Sequence, residues 1–319
     1  MFDVVEGQYR FIAAGQAPTT AEAPLRDIGP GVQEAIRDLQ GITGHTFLGA
    51  DGHPIIPSQA DGSGVDTLVA TLSAGPAVRA VAVGLFPDLS LESVRRLAAT
   101  AGVSLLETVH LTDSRRPEER LDVILRSRPQ VILMAGGMDG GATRAVERLT
   151  EVVGLACYLL PQDERPAVLF AGNRDLFKDV KTALQPLTSS FHLCPNIRPS
   201  PDVENLMPAM HELARLVPRV RKGQFKGVEE LEAWAGGHLM TSAYGAGRII
   251  RFLSKIYAES GKGVLGVDVG ASATTIAAAF NGDMSLSAYP RFGIGADAPA
   301  LLRYTNVENI LRWLPMELS

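Results

Sequence analysis

Between residues 76 and 194 the sequence alternates short runs of Val, Ile, Leu and Ala with amphipathic segments. No other feature restricts the fold as much. VRAVAVGLF, VSLLETVHL, PQVILMAGG, AVLFAGN and SSFHLC read as strands, and SLESVRRLAATAG, RPEERLDVILRS, ATRAVERLTEVVG and RDLFKDVKTAL between them carry apolar residues at helical spacing. Strands that are apolar at nearly every position need both faces covered. A parallel sheet with helices on either side meets that need. The block therefore predicts a doubly wound α/β domain over 76–194, with Ser90 as N-cap and Gly102 as stop of its first helix.

The flanks read differently. VVEGQYRFIAAGQAPTT looks like the end of one strand, a Glu-Gly turn and a second strand, which leads us to expect a further strand upstream of Met1. In IGPGVQEAIRDLQGITG, Val32, Ile36 and Leu39 recur at helical spacing and Gly41 is the expected stop. HTFLGADGHPIIP suggests a strand pair around Asp51-Gly52, and VDTLVATLSAGPAVRAVAVGL two short strands. The Pro-rich PNIRPSPDVENL marks a boundary, and three helical segments follow it. VLGVDV, TTIAAAF and MSLSAYP, separated by GASA and NGD, then read as a three-stranded meander, and two short helices are expected after it. This gives divisions at 1–75, 76–194 and 195–319.

A chain of 319 residues that is 46% hydrophobic can build one large domain or two. A formal charge of −5, with no Lys/Arg run, gives no field for a phosphate backbone, so nucleic acid is not an expected partner. Cys157 and Cys194 fit neither a C-x-x-C nor a zinc spacing, and the six histidines form no H-x-x-x-H. No apolar window approaches the ~18 residues of a spanning helix, and the N-terminus lacks a signal-peptide pattern. The expected setting is a reducing cytoplasm, with no membrane contact.

Three stretches could carry chemistry. In the meander, Asp268 ends a strand at the lip of a turn, where a carboxylate can hold hydrated Mg²⁺. The small residues Gly270, Ala271 and Ser272 let backbone amides approach phosphate oxygens, and Thr274 or Thr275 can add a hydroxyl. The same residues would also make a plain hairpin turn. ILMAGGMDGGATRAV places Gly136, Gly137, Gly140 and Gly141 between strand and helix, where amides can face an anion and Asp139 can meet ribose or metal. Those glycines equally allow helix and sheet to pack closely. LFAGNRD repeats the arrangement with Gly172 and Asn173, so a small ligand at this edge is a third-ranked reading. In FGIGADAPALL, Gly293 and Gly295 precede a helix carrying Asp297, with Gly295 a supporting candidate. DGHPII is read as a hairpin turn, because Ile56 stands where a D-x-H-x-x-G cobalamin loop has its last Gly. No Walker motif and no G-x-S-x-G occurs.

The order D-x-G, small residues and T-T between strands after a long helix resembles the second phosphate loop of the actin, heat-shock chaperone and sugar-kinase ATPase superfamily. FPDLSLESVRRLAATAGV, PQVILMAGGMDGG, VLFAGNRD and GVDVGASATT together resemble the glutamate-mutase-associated MutL family, which is unrelated to the mismatch-repair protein of that name. The resemblance spans about residues 70 to 300. It implies a doubly wound α/β domain combined with an actin-like, ribonuclease H-like ATPase domain. Residues 1–75 and 195–319 would be incomplete portions of that ATPase domain, in a fragment of a longer protein. The implied role is that of an ATP-binding accessory protein, a reactivating chaperone whose partner is an adenosylcobalamin-dependent mutase subunit. ATP and Mg²⁺ are its implied ligands, at Asp268, Gly270, Ala271, Ser272 and Thr274, with any catalysis being ATP hydrolysis. No bound cobalamin is implied. The superfamily loop usually has two glycines, a Thr and an acid where this chain has Gly270 with Ala271, Ala273 and Thr275. A first phosphate loop and a later Gly-Gly adenosine element are also missing, so weak ATP affinity or none is expected of this segment. The alternative is a non-catalytic actin-like scaffold that binds a partner through its α/β domain.

Overall fold

The computed structural model describes residues 1–295, 302–303 and 305–312. In chain order its elements are β1 (Phe2–Val5), β2 (Gln8–Phe11), α1 (Gly29–Thr43), β3 (Thr71–Leu72), β4 (Arg79–Gly84), α2 (Glu92–Thr100), β5 (Ser104–His110), α3 (Pro117–Ser127), β6 (Val131–Met134), α4 (Thr143–Leu159) and β7 (Ala167–Phe170). There follow α5 (Phe177–Leu184), β8 (Ser190–Leu193), α6 (Met207–Arg221), α7 (Val228–Trp234), β9 (Met240–Thr241), α8 (Ser242–Ile256), β10 (Val264–Val269), β11 (Ala273–Phe280), β12 (Asp283–Pro290) and α9 (Val307–Leu311). They form two compact units, Met1–Pro76 with Arg215–Ser242, and Ala77–Ala214 with Ala243–Ser319.

In the first unit β1 and β2 make an exposed antiparallel hairpin, turned by Glu6 and Gly7 at φ 53° and 74°. The core joins Ile28, Ala70 and Leu72 to Phe225, Val228, Leu231, Ala235 and Leu239, and β3 pairs in parallel with β9. Helix α1 runs past Gly41 and stops at Gly44, which takes φ 73° and donates its amide to the Gln40 carbonyl. The left-handed conformation that ends a helix is needed there, three residues beyond the expected stop. Around Asp51-Gly52 a single bridge, Leu48 to Pro54, replaces the expected strand pair.

The second unit holds the five-stranded parallel sheet that the apolar runs predict, in the order β5-β4-β6-β7-β8. Alternation along each strand separates its faces. Val81, Val83, Ile132, Met134, Val168 and Phe170 pack with α3, α4 and α5 residues such as Ile124, Val153 and Val180. The opposite face, from Ala80 and Ala82 to His192, meets α2 and α6. Each fully buried Leu or Phe stabilises the unit by about 1.5–3 kcal/mol over an exposed one. Helix α4 continues through Gly154 to Leu159, with Gly154 buried against Leu184 and Leu187. Glycine propensity alone suggests a stop, but Gly154 does not take the positive φ that would end the helix. Ser90 is not the N-cap of α2, whose N-cap is Leu91. It lies in a π-helical turn over Pro87–Leu91, where its Oγ accepts from the Leu85 and Phe86 amides and closes the strand-to-helix turn.

The meander β10-β11-β12 belongs to the same unit. One face packs inward: Gly266 lies against Ile250 of α8, Gly247 of α8 against Leu286, and Ala288 against Gly102 just after α2. The other face exposes Leu265, Val267, Val269, Ile276 and Phe280. Strand β10 is an edge of this sheet. Among the described residues no helix is long and apolar enough to cross a membrane.

Candidate functional site

The meander has two turns with opposite characters. Between β11 and β12, Asn281 and Gly282 take φ 50° and 87°, the paired positive values of a tight hairpin turn that follows the strand twist. The Gly282 amide is held by Ser254 Oγ at 3.1 Å and its carbonyl by Arg251 Nε at 2.8 Å. Between β10 and β11 the three linking residues, Gly270, Ala271 and Ser272, take no positive φ. This second turn is not stabilised by a primed conformation. The chain leaving β12 folds back on it: the amides of Ile294, Gly295 and Arg291 donate to the carbonyls of Gly270, Ala271 and Ser272 at 3.0, 2.8 and 2.9 Å. The Gly270 amide donates to Ala273. Carbonyls that would repel an anion are thus occupied, and among the described residues no acceptor bonds the amides of Ala271 and Ser272.

Strand register sorts the neighbouring side chains. Asp268 stands opposite Thr275, so both lie on the face turned toward α8, while Thr274 stands opposite Val269 on the other face. Asp268 is exposed and Thr275 buried. The Thr274 hydroxyl donates to the Phe292 carbonyl at 2.6 Å, which fastens the returning segment. Gly293 and Gly295 make that close approach possible. A Cβ on Gly293 would fall 2.4 Å from the Ala271 carbonyl oxygen, and one on Gly295 would fall 2.7 Å from it. Asp297 lies outside the described residues. Sequence reasoning missed Arg291, an exposed cation at φ 65° whose amide reaches the loop. Its only sequence signal was its place one residue after Pro290, which the meander register sets beside Ala273. A groove on the meander, about 680 Å³ and lined by Gly263, Leu265, Phe280 and Asp283, lies at the opposite end from Asp268.

At the carboxyl edge of the parallel sheet the glycines serve close contact. A Cβ on Gly172 would stand 2.6 Å from the Gly136 carbonyl oxygen, and one on Gly137 would stand 3.1 Å from Asn173 Cβ. Asp139 Oδ1 accepts from the Arg174 amide at 3.1 Å and from Asn196 Nδ2 at 2.9 Å, and the Gly140 amide donates to Asp175 Oδ2 at 3.0 Å. Gly141 turns the chain by donating to Met138. These bonds tie the three loops that follow β6, β7 and β8 to one another. Asn173 is fully buried and its Nδ2 has no partner among the described residues.

Two comparisons bear on this geometry. The residue pattern of a family described as MutL protein matches residues 1–294. The chain belongs to the MutL protein family. Protein MutL of Clostridium tetanomorphum is similar to it, with 24% identity over 260 residues, covering 80% of this chain and 54% of that protein. The MutL-family chain described here thus spans about half the length of the curated relative it matches. The matched range includes the meander, its loop and the edge glycines, so both candidate regions lie in the part that defines the family.

Two clusters outside the predicted residues complete the picture of this MutL-family chain. In the first unit His53 Nδ1 accepts the Trp234 indole N–H at 3.1 Å, and Asp51 Oδ1 accepts from the His53 amide, so the DGHPII stretch is a turn fastened by its own side chains. In the second, Ser190, His192 and Glu212 form a hydrogen-bonded row. Alternation along β8 sets Ser190 and His192 on one face, but Glu212 lies twenty residues on and comes from α6, so spacing alone gave no sign of it.

Proposed function

We propose that the chain is an ATP-binding accessory protein acting in the cytoplasm on an adenosylcobalamin-dependent mutase of the glutamate mutase type, where it serves as a reactivating chaperone. The meander and the segments flanking the parallel sheet would then derive from an actin-like, ribonuclease H-like ATPase fold. Family membership and the name of the Clostridium relative support the partner class. The β10–β11 loop is the single structural observation that carries the nucleotide reading. Its carbonyls are occupied, two successive amides have no acceptor among the described residues, and an exposed carboxylate stands at its lip.

The residues present suit a polyphosphate bearing a divalent cation. The Ala271 and Ser272 amides would hold phosphate oxygens, as backbone amides do in anion-binding concavities. The Asp268 carboxylate would hold Mg²⁺ through its water shell. Arg291 would add a positive charge on the same side of the turn, and the Gly293–Gly295 segment would keep the loop's carbonyls away from the anion. Bound ATP supplies a phosphoanhydride whose hydrolysis can drive closure of one domain on another. Calorimetry with Mg²⁺ and ATP tests this. The chain is expected to bind, and Asp268→Ala to weaken binding at least tenfold, which is about 1.4 kcal/mol. No heat from either protein would overturn the nucleotide site for this chain.

A second reading is a non-catalytic scaffold of the same fold. Thr275 standing where an acid is expected, and the Thr274 hydroxyl being committed to Phe292, favour it. Capture of a purified mutase at equal strength with and without ATP would select it.

A further inference from the structure

The row formed by Ser190, His192 and Glu212 has the order and distances of a nucleophile, a base and an orienting acid. His192 Nδ1 lies 2.7 Å from Glu212 Oε1, and His192 Nε2 lies 2.9 Å from Ser190 Oγ. An ionised carboxylate can only accept, so Glu212 requires the imidazole proton on Nδ1. That tautomer leaves the Nε2 lone pair facing the serine hydroxyl, which must then donate to it. This is the polarity that prepares a serine to lose its proton as it attacks. The arrangement is held from both sides. Phe191 and Leu193 point into the core beneath α5 and fix the pleat of β8, so Ser190 and His192 share the opposite face, where α6 presents Glu212. The imidazole is 13% exposed and the carboxylate 29%, so a small molecule can reach the row from solvent.

We propose that Ser190 is an activated nucleophile with acyl-ester reactivity, served by His192 as base and by Glu212 as a positioning residue. This is independent of the nucleotide reading. The substrate class is a small, uncharged ester: the site opens on the flank of an edge strand, and the Glu212 charge beside it repels anions. In the first step Ser190 Oγ bonds to the carbonyl carbon, the ester C–O bond breaks, and the hydroxyl proton passes through His192 Nε2 to the departing oxygen. In the second, water attacks the acyl carbon by the same proton route, releasing the acid and restoring Ser190. Cys194, two residues further along the same face, does not compete. Burial, and then the Glu212 charge, push its thiol up to about 12, which keeps it protonated.

The test uses a fluorophosphonate probe, which forms a Ser–P bond with loss of fluoride, followed by peptide mapping and p-nitrophenyl acetate turnover. The expected result is a single adduct at Ser190, absent from Ser190→Ala. Labelling should slow ~100-fold or more in His192→Asn, the usual contribution of a positioned base. Glu212→Gln should slow it by a smaller factor and Glu212→Asp should recover part of the loss, at unchanged melting temperature. Wild-type protein unfolded in urea should lose the labelling, which keeps the test valid if a variant fails to fold. An unlabelled Ser190 in the folded protein, or an equal rate in His192→Asn or in urea, would overturn the proposal.

Discussion

The second unit has two turns of small residues at strand ends, and they differ in how their polar groups are settled. At the carboxyl edge of the parallel sheet, Asp139, Asp175 and Asn196 occupy the neighbouring amides and one another. In the β10–β11 loop the carbonyls are bonded, while two amides and the Asp268 carboxylate are left over among the described residues. Glycine content differs, with four glycines between β6 and α4 and Gly270 alone between β10 and β11, but it does not decide the matter. What separates a packed turn from a receptive one is the account of donors and acceptors, since an amide already bonded to a carboxylate gains little from a ligand.

Four substitutions or conditions press on that contrast. Gly172→Val has the largest expected effect, because the new side chain meets backbone, the Gly136 carbonyl oxygen and amide nitrogen at 2.6 and 2.9 Å. A loss near 3 kcal/mol, the upper end for overpacking, is expected in urea denaturation, with the relative affinity for Mg²⁺-ATP unchanged in the folded fraction. Asp139→Ala should cost about 1 kcal/mol by removing the acceptor of the Arg174 amide and one of the two acceptors of Asn196 Nδ2, which keeps its bond to the Gly137 carbonyl. If it also abolished nucleotide binding, the edge would be a ligand site and the contrast would fail. Gly293→Ala should cost about 1 kcal/mol. Its Cβ cannot coexist with the Ala271 carbonyl at 2.4 Å, so hydrogen exchange at the Ile294 and Gly295 amides should accelerate and ATP affinity should fall.

The smallest effect concerns acid. Burial tends to raise the Glu204 carboxyl, but the Ser93 hydroxyl, Arg96 and Arg198 outweigh it and hold it below the usual glutamate range. A depressed carboxyl lends stability above its unfolded pKa and loses it as pH falls through the folded one. Thermal melts should therefore decline more between neutral and acid pH in wild type than in Glu204→Gln.

The parallel strands and the meander were legible in the sequence because continuous apolar runs and an Asn-Gly turn are dictated locally. The strand order was not, since it depends on which crossover packs where. Helix ends at Gly41 and Gly154 were misplaced for a shared reason. Glycine stops a helix when the backbone turns left-handed, as at Gly44, and lets it continue where the backbone does not, as at Gly154. Asp268, Gly270, Ala271 and Ser272 could be proposed from their types alone. The division of labour between Thr274 and Thr275 could not, because it follows from register with β10 and from the Phe292 carbonyl. The row at Ser190 was invisible for the same kind of reason, one of its members arriving from another element.

The first unit is discontinuous, resuming at Arg215 after leaving off at Pro76. During synthesis the core around Ile28, Ala70 and Leu72 lacks most of its buried members until Phe225 to Leu239 emerge. At ~5–20 residues per second the intervening stretch takes roughly ten seconds or more to make. The parallel-sheet unit has its five strands and most of its helices well before then. A newborn chain would hold the strands of the parallel sheet before the first unit has its second half, while α8 and the meander of the second unit are still to come.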